Sequence, residues 1–512
     1  MNIFQQSVKK DRARNQFDMS YGKKMTGKFG ALMPFYVEET LPGDRVQINS
    51  DIFTEFAPLL SNLKHQIDVH VDYFYVTYDS IWANWRDFIS GGENYDQNPT
   101  LPYVVMNEAN KADFKTGELA DYFAIPVWDA NGATPTISGT RNLNGLWFRG
   151  YQHVYNEWYR DQDLISKIDI ERNSDGLCGA QMHQLRYASW DNDLFSSARP
   201  TAQKGNPINF LGSKFFLKRE DGSPGVTEAA NLSQVGAPET GALKLTGATN
   251  GEVILRGSTV QDLRKAEALQ AFVEKMQAGG NRYNEYLNSM WGVDDQDQRL
   301  LIPQLLYSQD FPVKVSEVLT TSNNDNTTTD NNTAGQAYGR AVSYQDRAGF
   351  EYTCPDYGMI IGILKYSPKP AYFQGLHERW DRTDRFEWYT DHLAQIGEEP
   401  IYHGELYFQV TDPDNAQHDV QWGYHHRYYS FKTRYDEVCG DFRYGLKHQH
   451  LGRELNAHPN LNQNFIEIGN TFDSGLTRIF NVIDPALDYI WIEVYNDALY
   501  NRDVSYVSVP LP

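Results

Sequence analysis

Clustered carboxylates are the first groups in this sequence that could do chemistry. Glu378, Asp381 and Asp384 fall within one short tract, and Glu398-Glu399 precede Pro400; two carboxylates flanking a sugar linkage are the equipment of a glycosidase. The same tract interleaves Arg379, Arg382 and Arg385, and cations at that spacing make structural ion pairs the simpler reading. Asp412, Asp414 and Asp419 would suit a hard cation such as calcium, yet their positions do not fit an EF-hand loop, and Pro413 marks a polar turn. His425-His426 and the pair His448 and His450 have no cysteine or carboxylate at a recognised ligand spacing, so hydrogen bonding outweighs metal binding. No Gly-x-x-x-x-Gly-Lys-Ser/Thr, Gly-x-Ser-x-Gly or His-Glu-x-x-His occurs, so a phosphate cradle, a nucleophile elbow and a zincin site lack their marks. Cys178, Cys354 and Cys439 stand far apart without CxxC spacing, which suggests neither a disulfide framework nor a zinc site. The expectation is a protein that is not an enzyme, with no catalytic residue, metal or cofactor.

Charge gives a more specific signal. Acidic residues outnumber basic ones by 67 to 46, a net charge of −21, which argues against a chain that coats nucleic acid with its whole surface. Seven cations, Lys9, Lys10, Arg12, Arg14, Lys23, Lys24 and Lys28, face only Asp11 and Asp18 in the first thirty residues; that stretch carries +5 and the remainder −26. Contact with DNA phosphates is assigned to these seven. Residues 1–40 read as a basic arm that turns apolar at Ala31–Val37 and anchors there, and residues 41–512 as one domain with insertions.

The elements that must position such groups are legible in several places. Ile67, Val69, Val71, Tyr73 and Tyr75 alternate with Asp68, His70 and Asp72, the period of a strand with one face buried. Leu41-Pro42-Gly43-Asp44 is a tight turn before it. After it, Asp79 and Ser80 offer N-cap oxygens, Ile81, Trp82, Trp85, Phe88 and Ile89 recur at helical spacing, and Gly91 can cap the C-terminus. Tyr151, Val154, Tyr155 and Trp158 fall on one face of a surface helix. Ser258 and Gln261 open an amphipathic helix through Leu263, Leu269, Phe272 and Met276 to Gly279-Gly280, and a short helix carrying Tyr283, Tyr286, Leu287 and Met290 follows. Gly358–Leu364 has the length of a buried strand, closed by Pro368 and Pro370. WGYHHRYYSFKTRYDEVCGDFRYGL and the stretch from Ala486 onward show strand-like alternation. Residues 206–257 are rich in Gly, Ser, Thr, Asn and Ala and read as a surface elaboration, and 323–333, almost wholly Asn, Asp and Thr, as an exposed polar loop. No apolar run approaches the roughly 20 residues of a membrane span, and the N-terminus lacks the apolar core of a signal peptide, so neither membrane insertion nor export by that route is expected. Aromatic residues make up 14% of the chain, a load suited to a β core and to protein interfaces.

The order of motifs carries a resemblance. The Leu41–Asp44 turn, EFAPLL (Glu55–Leu60), the aromatic strand, WANWRDFISGG, NEWYRDQDL, LFSSARPTAQKG (Leu194–Gly205), NRYNEYLNSMWGV, RLLIPQLL, VKVSEVLTTS and YFQGLHERWDRTDRFEWYTDHLAQIGEEPI resemble the major capsid protein of microviruses, small icosahedral phages with single-stranded DNA. The gokushovirus-like branch is the nearest match; the likeness is weakest over residues 93–145 and 206–257. The fold expected is mainly β, an antiparallel jelly-roll β-sandwich of the viral capsid type with long loop insertions that contain short α-helices. The resemblance further implies a T=1 icosahedral homo-oligomer, located in the virion and assembled in the host bacterial cytoplasm. The partners it implies are copies of the chain itself, the single-stranded DNA genome on the inside, a small basic DNA-binding virion protein, a pilot or spike protein and a host surface receptor, with no membrane. Stacking of bases on interior aromatics would add sequence-tolerant affinity. The rival is a secreted carbohydrate-active β-sandwich protein, to which the Trp and Tyr content and the acidic residues point and against which the missing signal peptide tells.

Overall fold

The computed structural model describes residues 14–92, 98–127, 140–205, 260–280, 282–292, 301–319, 337–408, 418–469, 475–481 and 487–506. The chain divides into two compact units, one of Met1–Pro200 with Asp295–Pro512, the other of Thr201–Asp294.

In the first unit, Asn15–Asp18 (β1) and Tyr21–Gly27 (β2) are followed by Met33–Thr40 (β3), Arg45–Phe56 (β4) and Ile67–Thr77 (β5). A long connection then carries Tyr78–Ile81 (α1), Trp85–Ser90 (α2), Tyr103–Met106 (β6), Leu119–Tyr122 (α3), Arg141–Asn144 (β7) and Leu146–Val154 (α4). Gln304–Pro312 (β8), Lys314–Leu319 (β9), Ala337–Thr353 (β10) and Gly358–Pro368 (β11) come next. A second long connection holds Ala371–Tyr372 (β12), Glu398–Tyr402 (β13), Gln421–His426 (β14) and Asp436–Glu437 (β15), and Ile490–Arg502 (β16) follows it.

The first sheet has the order β1, β16, β4, β10, β9, with β2 also on β16; the second has the order β3, β11, β5, β8. Their pairings are antiparallel and nested: β2 with β16, β3 with β11, β4 with β10 and β5 with β8. A long hairpin rolled into a double sheet pairs its strands in this way, which is the jelly-roll topology. Met33, Phe35, Val46, Ile48, Ile52, Val69, Val71, Tyr73, Ile360, Ile492 and Val494 belong to the core between the sheets. Tyr73 is edge-on to Phe35 and Phe350, and Tyr36 and Tyr500 join hydroxyls at 2.6 Å.

The expected arm needs a new boundary. β1 and β2 follow one register along β16, Asn15 opposite Arg502 and Gly27 opposite Ile490, and β3 is an edge of the second sheet. Residues from Asn15 to Thr40 are therefore jelly-roll strands, held because Met25, Met33, Phe35 and Tyr36 are buried. The Pro42-Gly43 turn forms as expected, with Gly43 at φ 86° and the Asp44 N–H on Leu41 O at 3.1 Å.

The second sheet is covered on its outer face as well. Phe74, Val76, Met359, Ile361 and Ile363 pack with Trp82, Phe148, Tyr151 and Val154 in a second core, so β11 is apolar on both sides, and its continuous apolar run follows from that. The same covering alters the expected surface helix. α4 begins at Leu146, every residue from Phe148 to Val154 is buried, and the helix continues as a π-helical turn over Tyr155–Tyr159. The expected single helix after β5 is two, because Asp175 accepts from Trp82 Nε1 at 2.7 Å and from Asn84 Nδ2 at 3.0 Å and holds the chain open between α1 and α2. Thr77 and Asn84, without side-chain caps, stand where Asp79 and Ser80 were expected; Gly91 takes the left-handed cap at φ 82°.

A third core lies in the connection before β16, where Tyr372, Ile401, Leu406, Trp422 and Tyr429 enclose Leu194, Phe195 and Ala198. Leu194, Phe195 and Ala198, the apolar start of that motif, thus plug a region distant in sequence. The tract around 421–446 is a short strand followed by 3-10 turns, not the extended alternation expected.

In the second unit Val260–Gly279 (α5) and Tyr283–Trp291 (α6) form where expected and pack on each other. The α5 stripe of Leu263, Leu269 and Phe272 is exposed. The surface elaboration at 206–257 and the polar loop at 323–333 lie outside the described residues.

Candidate nucleic-acid interface

The seven cations do not share one environment. Lys9, Lys10 and Arg12 lie outside the described residues. Arg14 is exposed and reaches over the Pro42-Gly43 turn. On β2 the side chains alternate, so Lys24 points to water and Lys23 inward. The Lys23 ammonium donates to Pro34 O at 2.8 Å and Tyr122 O at 2.5 Å, and burial pushes its pKa down to about 8. An ammonium committed to two backbone carbonyls is a structural strut, so Lys23 leaves the set of phosphate contacts. Lys24 sits 3.8 Å from Glu493 and Lys28 3.3 Å from Asp488, which reduces their free positive charge.

The outer face of the first sheet exposes Phe53, Tyr344, Trp491 and Tyr495, interleaved with Lys24, Glu493 and the Arg340–Glu55 pair at 2.9 Å. Between β12 and β13 a run of 3-10 turns exposes Trp380, Phe386, Trp388, Tyr389 and Ile396. Both surfaces offer flat apolar rings beside paired charges, which is the chemistry of a protein or nucleic-acid contact.

Three of the five carboxylates weighed for catalysis are engaged structurally. Glu378 pairs with Arg382 at 3.1 Å, Glu398 with Arg199, and Asp384 caps the turn that carries Phe386. Sequence reasoning missed Glu405, 7% exposed, which accepts from the Tyr429 hydroxyl at 2.5 Å and from Tyr402 N–H at 3.1 Å. Burial, with the Glu378 and Glu399 charges adding, pushes its pKa up to about 8 against those two bonds. His425 Nδ1 accepts from His426 N–H at 2.8 Å, and burial pushes its pKa down to about 4. His450 Nδ1 accepts from Gly452 N–H at 3.0 Å. Asp412 and Asp414 lie outside the described residues, and Asp419 meets His418 at 3.1 Å. Among the described residues no group of three or more His, Cys, Asp or Glu could hold a metal ion, and no helix is long and apolar enough to cross a membrane.

Comparison with known proteins gives a consistent set of matches. A family model described as capsid protein (F protein) matches residues 6–511. The capsid protein VP1 of Bdellovibrio phage phiMH2K is 28% identical over 495 residues, covering 90% of this chain and 89% of that protein. The capsid protein VP1 of Chlamydia phage 1 is 26% identical with 90% of each covered, and that of Spiroplasma virus 4 is 26% identical with 75% of each covered.

Proposed function

The chain belongs to the capsid protein (F protein) family, matched over residues 6–511, and from that premise we propose that its copies close into a T=1 icosahedral shell around single-stranded DNA. It is a major capsid protein of the microvirus group, structural and not enzymatic, and its place is the virion. The family match along nearly the whole chain carries this reading and sets aside the carbohydrate-active alternative.

In the proposed shell, the side chains of Phe386, Trp388 and Ile396 meet neighbouring copies, with Trp388 as the anchor, since a few large rings covered by a partner carry most of the energy of an interface. DNA contact falls to Lys9, Lys10, Arg12 and Arg14, with Lys24 and Lys28 as weaker members because each has an acidic neighbour. A small basic DNA-binding virion protein, a pilot or spike protein and a host surface receptor complete the partners. Light scattering and electron microscopy of the purified chain, with those phage proteins supplied, are expected to show closed particles. A chain that stays monomeric at high concentration under those conditions refutes the reading. Changing Lys9, Lys10, Arg12 and Arg14 to Gln is expected to lower DNA retention and to flatten its salt dependence by about 0.7 for each phosphate no longer neutralised. Unchanged DNA content with impaired assembly would make the basic segment a tie between subunits.

A further inference from the structure

A cavity of about 560 Å³ opens in the connection between β11 and β16, within the range of roughly 300–1,000 Å³ typical of small-ligand sites. Its floor is fixed from two distant parts of the chain. β12 and β15 pair in parallel, Tyr372 opposite Glu437, and His377 stacks on Tyr435 with centroids 5.5 Å apart and planes 25° apart. At the rim stand Trp380 and Tyr444, 71% and 80% exposed, two large rings that packing within the unit does not account for.

The charges on the lining are unlike those of the whole chain. Arg379, Arg443 and Lys447 line the cavity with one carboxylate, Glu437, in a protein of net charge −21. Arg379 lies 5.2 Å from the Trp380 ring centre and 3.3 Å from Glu437. Lys447 is paired with Glu454. Arg443 is exposed, and among the described residues it donates through Nε to Val438 O at 3.0 Å, so its two terminal nitrogens remain for an acceptor from outside.

Flat rings would take a sugar as well as a base, but a sugar leaves the terminal nitrogens of Arg443 without an anion, and an acyl chain would call for no charge at all. Flat rings at the rim beside guanidinium groups match a base and its phosphate. We propose that this cavity holds one base of single-stranded DNA against Trp380 and Tyr444, with the adjoining phosphate on Arg443. The proposal rests on the capsid reading for the source of the DNA, and it adds a stacking interaction that salt weakens less than the phosphate pairing of the N-terminal cations.

The probes are a fluorescent oligothymidylate of about ten nucleotides, a length within the site sizes of single-strand binders, and a neutral malto-oligosaccharide, each titrated onto the full chain. Trp380→Ala and Tyr444→Ala are each expected to weaken the oligonucleotide about fivefold or more, the lower end of base stacking. Arg443→Gln is expected to reduce the slope of log affinity against log salt by about 0.7. Oligonucleotide carrying 4-thiothymidine should cross-link, in the unaltered protein, to peptides within residues 371–447. Unchanged affinity in all three variants, cross-links confined to other segments, or saturation of the cavity by the oligosaccharide with no effect of the oligonucleotide would each overturn the proposal. Particle formation by the same variants is scored separately. Intact particles that no longer bind the oligonucleotide isolate the cavity, whereas an unaltered chain that binds DNA and never forms particles counts against the capsid reading alone.

Discussion

Replacing Glu405 by Gln isolates the energetic effect of one buried carboxyl on the stability of the third core. Glu405 faces Glu378, Glu399, Arg382, Arg427 and His418 across a cavity of about 290 Å³, and its pKa stands at about 8 against an ordinary 4.5. Below the lower value the carboxyl is protonated whether the chain is folded or not, and its contribution is fully present. Between the two values the unfolded chain has released the proton and the folded one retains it. The native state then binds more protons than the unfolded state, and stability falls as pH rises, until the loss is complete above about 8. At about 1.4 kcal/mol per pH unit, the gap sets an upper bound of roughly 5 kcal/mol on that loss. Gln has no proton to release in this range and keeps an oxygen for the Tyr402 N–H. Urea unfolding of both proteins, from about pH 5 to about pH 9, should give curves that diverge, with the Glu405→Gln protein gaining on the unaltered one by up to about 1.4 kcal/mol per pH unit. Groups away from that cavity, such as Glu38, whose pKa burial also raises, contribute equally to both curves. Parallel curves across the whole range would refute the assignment.

Gly362→Ala should destabilise the first unit by about 1–3 kcal/mol in urea unfolding, because the added methyl would lie 2.9 Å from the Phe35 ring and 2.9 Å from Tyr36 Cβ in a close-packed core. Lys23→Met should leave the carbonyls of Pro34 and Tyr122 without their donor and cost about 1–3 kcal/mol, with DNA retention and its salt dependence unchanged; a flattened salt dependence would return Lys23 to the phosphate-binding set. Replacing residues 201–294 by a Gly-Ser linker should leave the first unit folded, as judged by near-ultraviolet circular dichroism, and loss of soluble protein would show that the insertion belongs to its core.

What the sequence showed and what it hid divide by the range of the interactions. The alternation of Ile67–Tyr75, the Pro42-Gly43 turn, the apolar run of β11 and the helix α5 are local patterns, and each formed where its residues indicated. Asp175 interrupts the helix after β5 from 93 residues away in sequence, bonded to Trp82, and no local spacing could announce it. The burial of α4 depends on the second sheet having a covered outer face. The arm boundary differs because β1 is only four residues, β2 carries two glycines and two lysines, and the partner of both is the distant β16. Lys23 faces inward and Lys24 outward only because β2 is a strand, which its residues do not announce. The Arg-rich aromatic tract after β12 is visible as an interface element, but Arg443, Tyr444 and Lys447 are not visible as its neighbours, because contacts distant in sequence, the two-residue ladder between β12 and β15 and the His377–Tyr435 stack, bring them there.

The nested pairing also sets a timetable for biosynthesis. β16 lies inside the first sheet, between β4 on one side and β1 with β2 on the other, yet it is the last of the jelly-roll strands to leave the ribosome. Phe29 N–H waits for the Tyr489 hydroxyl across 460 residues, roughly 20–90 s at about 5–20 residues per second. Through that interval the edge of β4 that pairs with β16 has no partner strand, and an open edge of that kind invites pairing with another chain. Unfinished subunits have no completed sandwich to offer a growing shell, so the fold itself screens the material from which particles are made.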